Sequence, residues 1–291
     1  MSLFDQLVDE ALRARADLSS LRPVVEKELL HHDILREMST AGLLAGLTFM
    51  GGTCLRACYG SSRLSEDLDF TGGGDFRRGD LAELATILTD RLKSRYGLPI
   101  RVSEPVKIGG NVSTWKLVIE TRPGRRHLPA QRINLDICAI PSHDPRPMML
   151  RNIYRVDLGT SGLILQAQSR EEILADKVVA LALRDNRIKN RDLWDIAWLT
   201  QQGVELPLPL ISLKIRDHKR KTVDFIAALE ARLAVLRGKP DVRADFMKEM
   251  RRFLPATAMR DTVEKEPYWS YLTQVVTELG QKAVAALKSR S

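Results

Sequence analysis

The chain has 291 residues, 44% hydrophobic and 28% charged, a balance that excludes wholesale disorder and leaves room for one large or two moderate domains. Its three cysteines form neither a CxxC pair nor a disulfide framework, and its longest uncharged stretch, residues 39–55, is too short and glycine-rich to span a bilayer. The net charge of +8 suits a polyanionic partner such as a nucleotide or nucleic acid, although solubility alone explains such a surplus equally well.

The opening MSLFDQLVDE has neither the basic patch nor the apolar run of a secretory signal, so we expect a cytoplasmic protein with no membrane partner. Periodicity predicts helices over 2–18 and about 22–45, the first with Leu3, Leu7, Val8 and Leu12 on one stripe. A short apolar run, Leu47 to Met50, meets Gly51-Gly52. A strand is expected over 67–70, ended by Gly72-Gly73-Gly74, then a helix over 81–95. Residues 100–103, 112–121 and 133–140 are β-rich. Beyond about 168 only helices are expected, over 170–185, 191–202, 209–217, 222–236, 242–254 and 269–287. The expected organisation is an α+β domain with N-terminal helices over 1–165, followed by an all-helical C-terminal domain over 166–291.

The chemistry concentrates in Gly51 to Phe70, GGTCLRACYGSSRLSEDLDF. Glycines permit tight turns and let backbone N–H groups approach a phosphate, and a helix starting there adds the positive end of its dipole. The two-residue period of a strand puts Asp67 and Asp69 on one face, with Leu68 and Phe70 on the other. Two carboxylates one strand-step apart can share divalent ions, and hard Mg²⁺ takes oxygen ligands of this kind. A third carboxylate lies in RINLDIC (132–138), where Ile133, Leu135 and Ile137 form the apolar face and Asn134 and Asp136 the other. If the two strands are neighbours, Asp67, Asp69 and Asp136 surround a metal site. Each part alone is common. In the order apolar strand, GG-Thr, helix, DxD strand, carboxylate strand, they have the layout of a polymerase-beta-type nucleotidyltransferase palm.

The segment resembles the AbiEii/AbiGii toxin family of nucleotidyltransferases, whose members show a GG-[ST] turn and a SEDLD-like run; here the run is Ser65 to Phe70. EILADK (172–177) followed by NRDLWD (190–195) is similar to the family's second signature, a helix lysine followed by an RD-x-x-D helix. The resemblance implies that Asp67 and Asp69 bind metal, that Lys177 and Asp192 are functionally required, and that Gly51, Gly52, Thr53, Arg63, Ser65 and Arg191 contact the nucleotide. It implies Mg²⁺ or Mn²⁺ as cofactor and an NTP as substrate. It further implies an RNA acceptor, with the tRNA 3′ end favoured, and a separately encoded antitoxin of the AbiEi type in a type IV toxin–antitoxin or phage-defence pair. One departure concerns Thr53: thirteen residues separate it from Asp67, longer than the compact spacing of archetypal relatives. Rival readings are transfer to a protein or small molecule, and a non-catalytic nucleotide- or RNA-binding relative.

Periodicity leaves Lys177 with two readings, since Ile173 and Leu181 flank it on an apolar row: it snorkels outward, or it reaches inward to a triphosphate. Asp192 either stabilises a helix N-terminus or orients that lysine. Basic clusters at 122–132, 214–221 and 251–252 suit an RNA backbone, against the plainer reading of solvated charge. Cys54 and Cys58 are expected in the core, as are Trp194 and Trp198.

Overall fold

A computed structural model describes residues 2–106, 110–123, 129–184, 187–238 and 241–289. The chain divides into two compact units, Met1–Gln168 and Ser169–Ser291.

The first unit opens with α1 (Leu3–Ala14), started by a capping box in which the Ser2 hydroxyl accepts the Asp5 N–H at 3.1 Å. A 3₁₀ turn (Ala16–Leu21) leads into α2 (Arg22–Thr40), with Pro23 in its first turn. The sequence pattern carries this helix to 45, but Gly42 takes φ +72, a left-handed conformation that stops it earlier.

Seven strands form one mixed sheet: β1 (Thr48–Met50), β2 (Leu68–Thr71), β3 (Ile100–Ser103), β4 (Val112–Ile119), β5 (Gln131–Cys138), β6 (Pro145–Met149) and β7 (Ile164–Gln168). Their order is β3-β4-β5-β2-β1-β7-β6. Two helices are inserted, α3 (Gly51–Ala57) directly after β1, and α4 (Leu84–Tyr96) after a 3₁₀ turn at Arg78–Leu81. One sheet face is apolar: Leu68 and Phe70 of β2, Trp115, Leu117 and Ile119 of β4, and Ile133, Leu135 and Ile137 of β5 are all buried. There α2 packs on β5 and α4 on β3. Phe49 of β1 pairs with Phe70 of β2, ring centroids 5.1 Å apart. Strands β6 and β7 extend the sheet beyond what the sequence pattern predicts. Pro145 and Pro147 argue against a strand, yet among the described residues β6 bonds to β7 alone, and an edge strand tolerates missing donors.

The second unit is helical: α5 (Arg170–Leu183), α6 (Asn190–Gln201), α7 (Leu208–Asp217), α8 (Thr222–Gly238), α9 (Asp241–Met250), the single turn α10 (Ala256–Ala258), a π turn at Met259–Val263, and α11 (Glu266–Lys288). Aromatic contacts tie α11 down, Trp194 of α6 lying 5.7 Å from Tyr268 and Phe246 of α9 lying 5.6 Å from Trp269. Trp194 and Trp198 are buried, and both Cys54 and Cys58 lie in the first unit's core. Among the described residues no helix is long and apolar enough to cross a membrane.

Candidate active site

Strands β2 and β5 run parallel and adjacent, so residues in register share a face and lie one interstrand spacing apart, roughly 4.8 Å. The register pairs Leu68 with Leu135 on the buried face and Asp69 with Asp136 on the opposite one. On that same row β1 places Met50 beside Asp69, and β4 places Thr114 beside Asp136. Two carboxylates far apart in the chain are thus neighbours at the centre of the sheet, both half-buried.

The glycine turn closes over Asp69. Met50 ends β1 in extended conformation and Gly51 takes φ +75. A Cβ on Gly51 would lie 2.8 Å from Asp69 Oδ2, so the carboxylate rests against backbone that only glycine leaves open. Gly52 is constrained from another side, since a Cβ there would overlap the guanidinium of Arg63.

The remaining predicted residues of this region are held internally. Thr53 is buried, its hydroxyl donating to the Asp67 carbonyl and lying 2.8 Å from Ser65 Oγ. Arg63 is buried and donates to the Leu64 carbonyl at 3.1 Å, and the Ser65 N–H donates to Glu28 Oε1 at 2.9 Å. Asp67 precedes β2, and its Oδ1 accepts the Asn134 N–H at 3.1 Å. The structure therefore brings Asp69 and Asp136 together and turns one oxygen of Asp67 towards the β5 backbone. Among the described residues no group of three or more His, Cys, Asp or Glu side chains converges as a metal-binding cluster. Asp69 and Asp136 are nonetheless the hard oxygen donors that Mg²⁺ and Mn²⁺ take, laid side by side against a glycine cradle, and in that respect they fit a divalent ion.

In the second unit Lys177 of α5 points inward. Its Nζ lies 2.6 Å from Asp192 Oδ1 and 2.9 Å from Asp195 Oδ2, both on α6. The i, i+3 spacing of RD-x-x-D puts both aspartates on one helix face, where they clamp the lysine from two sides. Arg184 reaches the other Asp192 oxygen at 3.0 Å. Burial works against ionisation of Asp192, but the charges of Lys177, Arg184 and Lys189 outweigh it and hold the carboxyl well below the usual range. Burial pushes the Lys189 ammonium down to about 8. Arg191 lies over the Phe253 ring, 4.7 Å from its centroid, and 3.3 Å from Glu249.

Residues 33–273 match the family of the AbiEii nucleotidyl transferase toxin of type IV toxin–antitoxin systems. The chain belongs to the AbiEii family. It is accordingly a nucleotidyltransferase, the toxin component of a type IV pair, with an NTP as substrate and an antitoxin as partner. Among solved structures, MenT4, a nucleotidyltransferase toxin from Mycobacterium tuberculosis, is 16% identical with a TM-score of 0.58, over 95% of this chain and 93% of that one. The similarity extends to JHP933 from Helicobacter pylori, 17% identical with a TM-score of 0.47, over 91% of this chain and 98% of that one. At these identities the likeness is one of fold. No curated protein matches the chain.

For this AbiEii chain the motif reading passed over several residues. Asp195 shares Lys177 with Asp192, and its signal was the second aspartate of RD-x-x-D. Glu28, Arg56 and Tyr154 form a buried cluster behind the Ser61–Asp67 loop: Arg56 Nε lies 3.1 Å from Glu28 Oε2, and the Tyr154 hydroxyl donates to the same oxygen. No local pattern announces such a cluster, because its members lie on three separate segments. Of the basic clusters, Arg122 is spent on Glu26, Lys214 is buried against Glu172 and Asp176, and Arg251 pairs with Glu264 at 3.1 Å. Arg132, Arg216, Lys219, Arg220 and Lys221 are exposed. Arg125, Arg126 and His127 lie outside the described residues.

Proposed function

We propose that this toxin is a metal-dependent enzyme that transfers a nucleoside monophosphate from an NTP to an RNA acceptor, with the tRNA 3′ end as the favoured target, and that its antitoxin is of the AbiEi type. The observation that carries the reading is the register of Asp69 with Asp136 on adjacent parallel strands beneath Gly51.

Asp69 and Asp136 would hold a divalent ion, with Asp67 joining through the oxygen not engaged by Asn134. When bound, such an ion supplies charge neutralisation for the triphosphate and for the departing pyrophosphate. The Gly51–Gly52 turn lets the Asp69 carboxylate and the Arg63 guanidinium press against its backbone, so that both groups stand at the turn where the polyphosphate would lie. Thr53 and Ser65 hold the loop that delivers Asp67, and Arg63 supports the Gly52 backbone. Within the second unit we assign Lys177 as a cation required for function and Asp192, with Asp195, as the groups that orient it. The cationic excess of Lys177, Arg184 and Lys189 around these carboxylates supports an anionic ligand. An RNA acceptor is supported by the net charge of +8 and by the exposed Arg216, Lys219, Arg220 and Lys221.

The test is incubation of the purified protein with each labelled NTP, Mg²⁺ and total cell extract. Label that enters RNA, is lost on ribonuclease treatment and is absent with Asp69→Asn supports the proposal. Label that survives ribonuclease moves the acceptor to a protein or small molecule, and full transfer by Asp69→Asn overturns the site.

A further inference from the structure

Ser61–Asp67 has no regular secondary structure, yet it leads straight into β2 and so determines where Asp67 and Asp69 stand. A segment with no ladder of its own must place its backbone polar groups on side chains or water. Here those side chains come from α2. The Glu28 carboxylate accepts the Ser65 N–H at 2.9 Å, His31 Nε2 lies 3.0 Å from the Glu66 carbonyl oxygen, and Lys27 Nζ donates to Glu66 Oε1 at 2.8 Å. From α3, the Thr53 hydroxyl donates to the Asp67 carbonyl. Three consecutive residues, Ser65 to Asp67, are thus gripped one after another.

Positions 27, 28 and 31 share one helix face through their i, i+3 and i, i+4 spacing. Glu28 and His31 are buried on it. An apolar surface would pack there at least as well, since buried charges seldom add net stability; what they add is a defined position for whatever they bond. Because a carbonyl oxygen can only accept, His31 carries its proton on Nε2. Burial favours this neutral form. All three residues precede position 33, where the family match begins.

We propose that Lys27, Glu28 and His31 are positioning residues for nucleotidyl transfer: α2 fixes Ser65–Asp67 so that Asp67 and Asp69 are presented to Asp136. The proposal rests on the reading of Asp69 and Asp136 as the centre of transfer, and the experiment separates the two. His31→Leu removes the donor, His31→Gln keeps an N–H in the place of Nε2, and Asp69→Asn is the reference. Each full-length protein is assayed for transfer kinetics, for Mn²⁺ affinity by calorimetry and for amide exchange in the native state. His31→Leu should lower kcat by about 10- to 100-fold, as a displacement of about 1 Å at a reacting centre does, with KM for the NTP within about twofold. It should also weaken Mn²⁺ binding and speed amide exchange at Ser65–Asp67 while other protected amides hold. His31→Gln should recover kcat to within about threefold of the wild type.

If His31→Leu transfers at the wild-type rate while Asp69→Asn is inactive, the positioning role is wrong and the site stands. The role also fails if kcat falls only in proportion to the folded fraction, or if exchange at Ser65–Asp67 does not change. If Asp69→Asn is fully active, the site reading itself is wrong. Should His31→Leu not fold, Lys27→Met breaks the less buried contact to Glu66 and carries the same criteria, with an expected kcat loss of about 3- to 10-fold.

Discussion

Asp69 and Asp136 stand in register on neighbouring parallel strands, so a single interstrand step separates two carboxylates that are 67 positions apart in the chain. A divalent ion beside two like charges this close would favour the ionised form of both. We expect Mg²⁺ or Mn²⁺ to raise the melting temperature of the wild type and to have little effect on Asp69→Asn or Asp136→Asn, because a ligand of the folded state alone stabilises it by mass action. Both variants should fold and lose at least about 100-fold in transfer. Calorimetric melts with and without the ion check the first expectation and labelled-nucleotide transfer the second; equal shifts in all three proteins would remove these carboxylates from the ion's surroundings.

Gly51→Ala tests the cradle. The new Cβ falls 2.8 Å from Asp69 Oδ2 and sits on a backbone at φ +75, so Asp69 must move and the turn is strained by about 1 kcal/mol. Gly42 supplies the control: its φ is +72, but a Cβ there meets nothing within 4 Å. Both substitutions should lower the melting temperature by a few degrees. Only Gly51→Ala should reduce transfer strongly, by about 10- to 100-fold. Equal activity in the two variants would show that contact between Gly51 and Asp69 does not matter.

The contrast between these glycines marks what the sequence could and could not disclose. The order of GG-Thr, helix, DLD strand and carboxylate strand was legible, because each element follows from local periodicity and turn chemistry. Neighbourhood of the DLD and Asp136 strands could be stated only as a condition, since strand pairing is not local. The spacing from Thr53 to Asp67 left the direction of the Thr53 hydroxyl ambiguous, because only the loop's path brings the Asp67 carbonyl within its reach. The inward turn of Lys177 had the same ambiguity, resolved by two aspartates arriving from α6. Glu28 and His31 carry no local signal, because their hydrogen-bond partners come from residues 56, 65, 66 and 154. Helix α2 was legible as a helix and silent as a clamp.

Lys177→Met should destabilise the second unit. It leaves Asp192 and Asp195 buried, Asp192 with Arg184 3.0 Å from its other oxygen, and breaking one side of a buried pair costs about 3–5 kcal/mol. Adding Asp195→Asn removes one of the two buried carboxylates and should recover part of that loss. Urea unfolding of the two variants measures it. Transfer by the stabilised double variant then reports on Lys177 itself: activity near that of the wild type would make the lysine structural, whereas a loss with intact folding supports a required role in transfer.

The buried imidazole of His32 gives stability a defined response to acid. His32 Nδ1 lies 2.9 Å from Thr160 Oγ1, and burial pushes its pKa down to about 4, with Arg36, Arg56 and His31 acting in the same direction and Glu28 opposing them. In the unfolded chain the group titrates near its ordinary value of about 6.5. Above that pH neither state is protonated and the full stability is present. As pH falls from about 6.5 towards 4 the unfolded chain takes up a proton that the folded protein refuses, so stability drops with decreasing pH, by about 3 kcal/mol if the whole interval is traversed. Below about 4 the folded protein is protonated as well and this contribution levels off. His32→Asn, which keeps a polar atom near the position of Nδ1 but does not titrate, should flatten the fall in urea-unfolding free energy between pH 6.5 and 4 while leaving the value at pH 8 within about 1 kcal/mol of the wild type. An unchanged slope in that variant would assign the acid sensitivity to other groups.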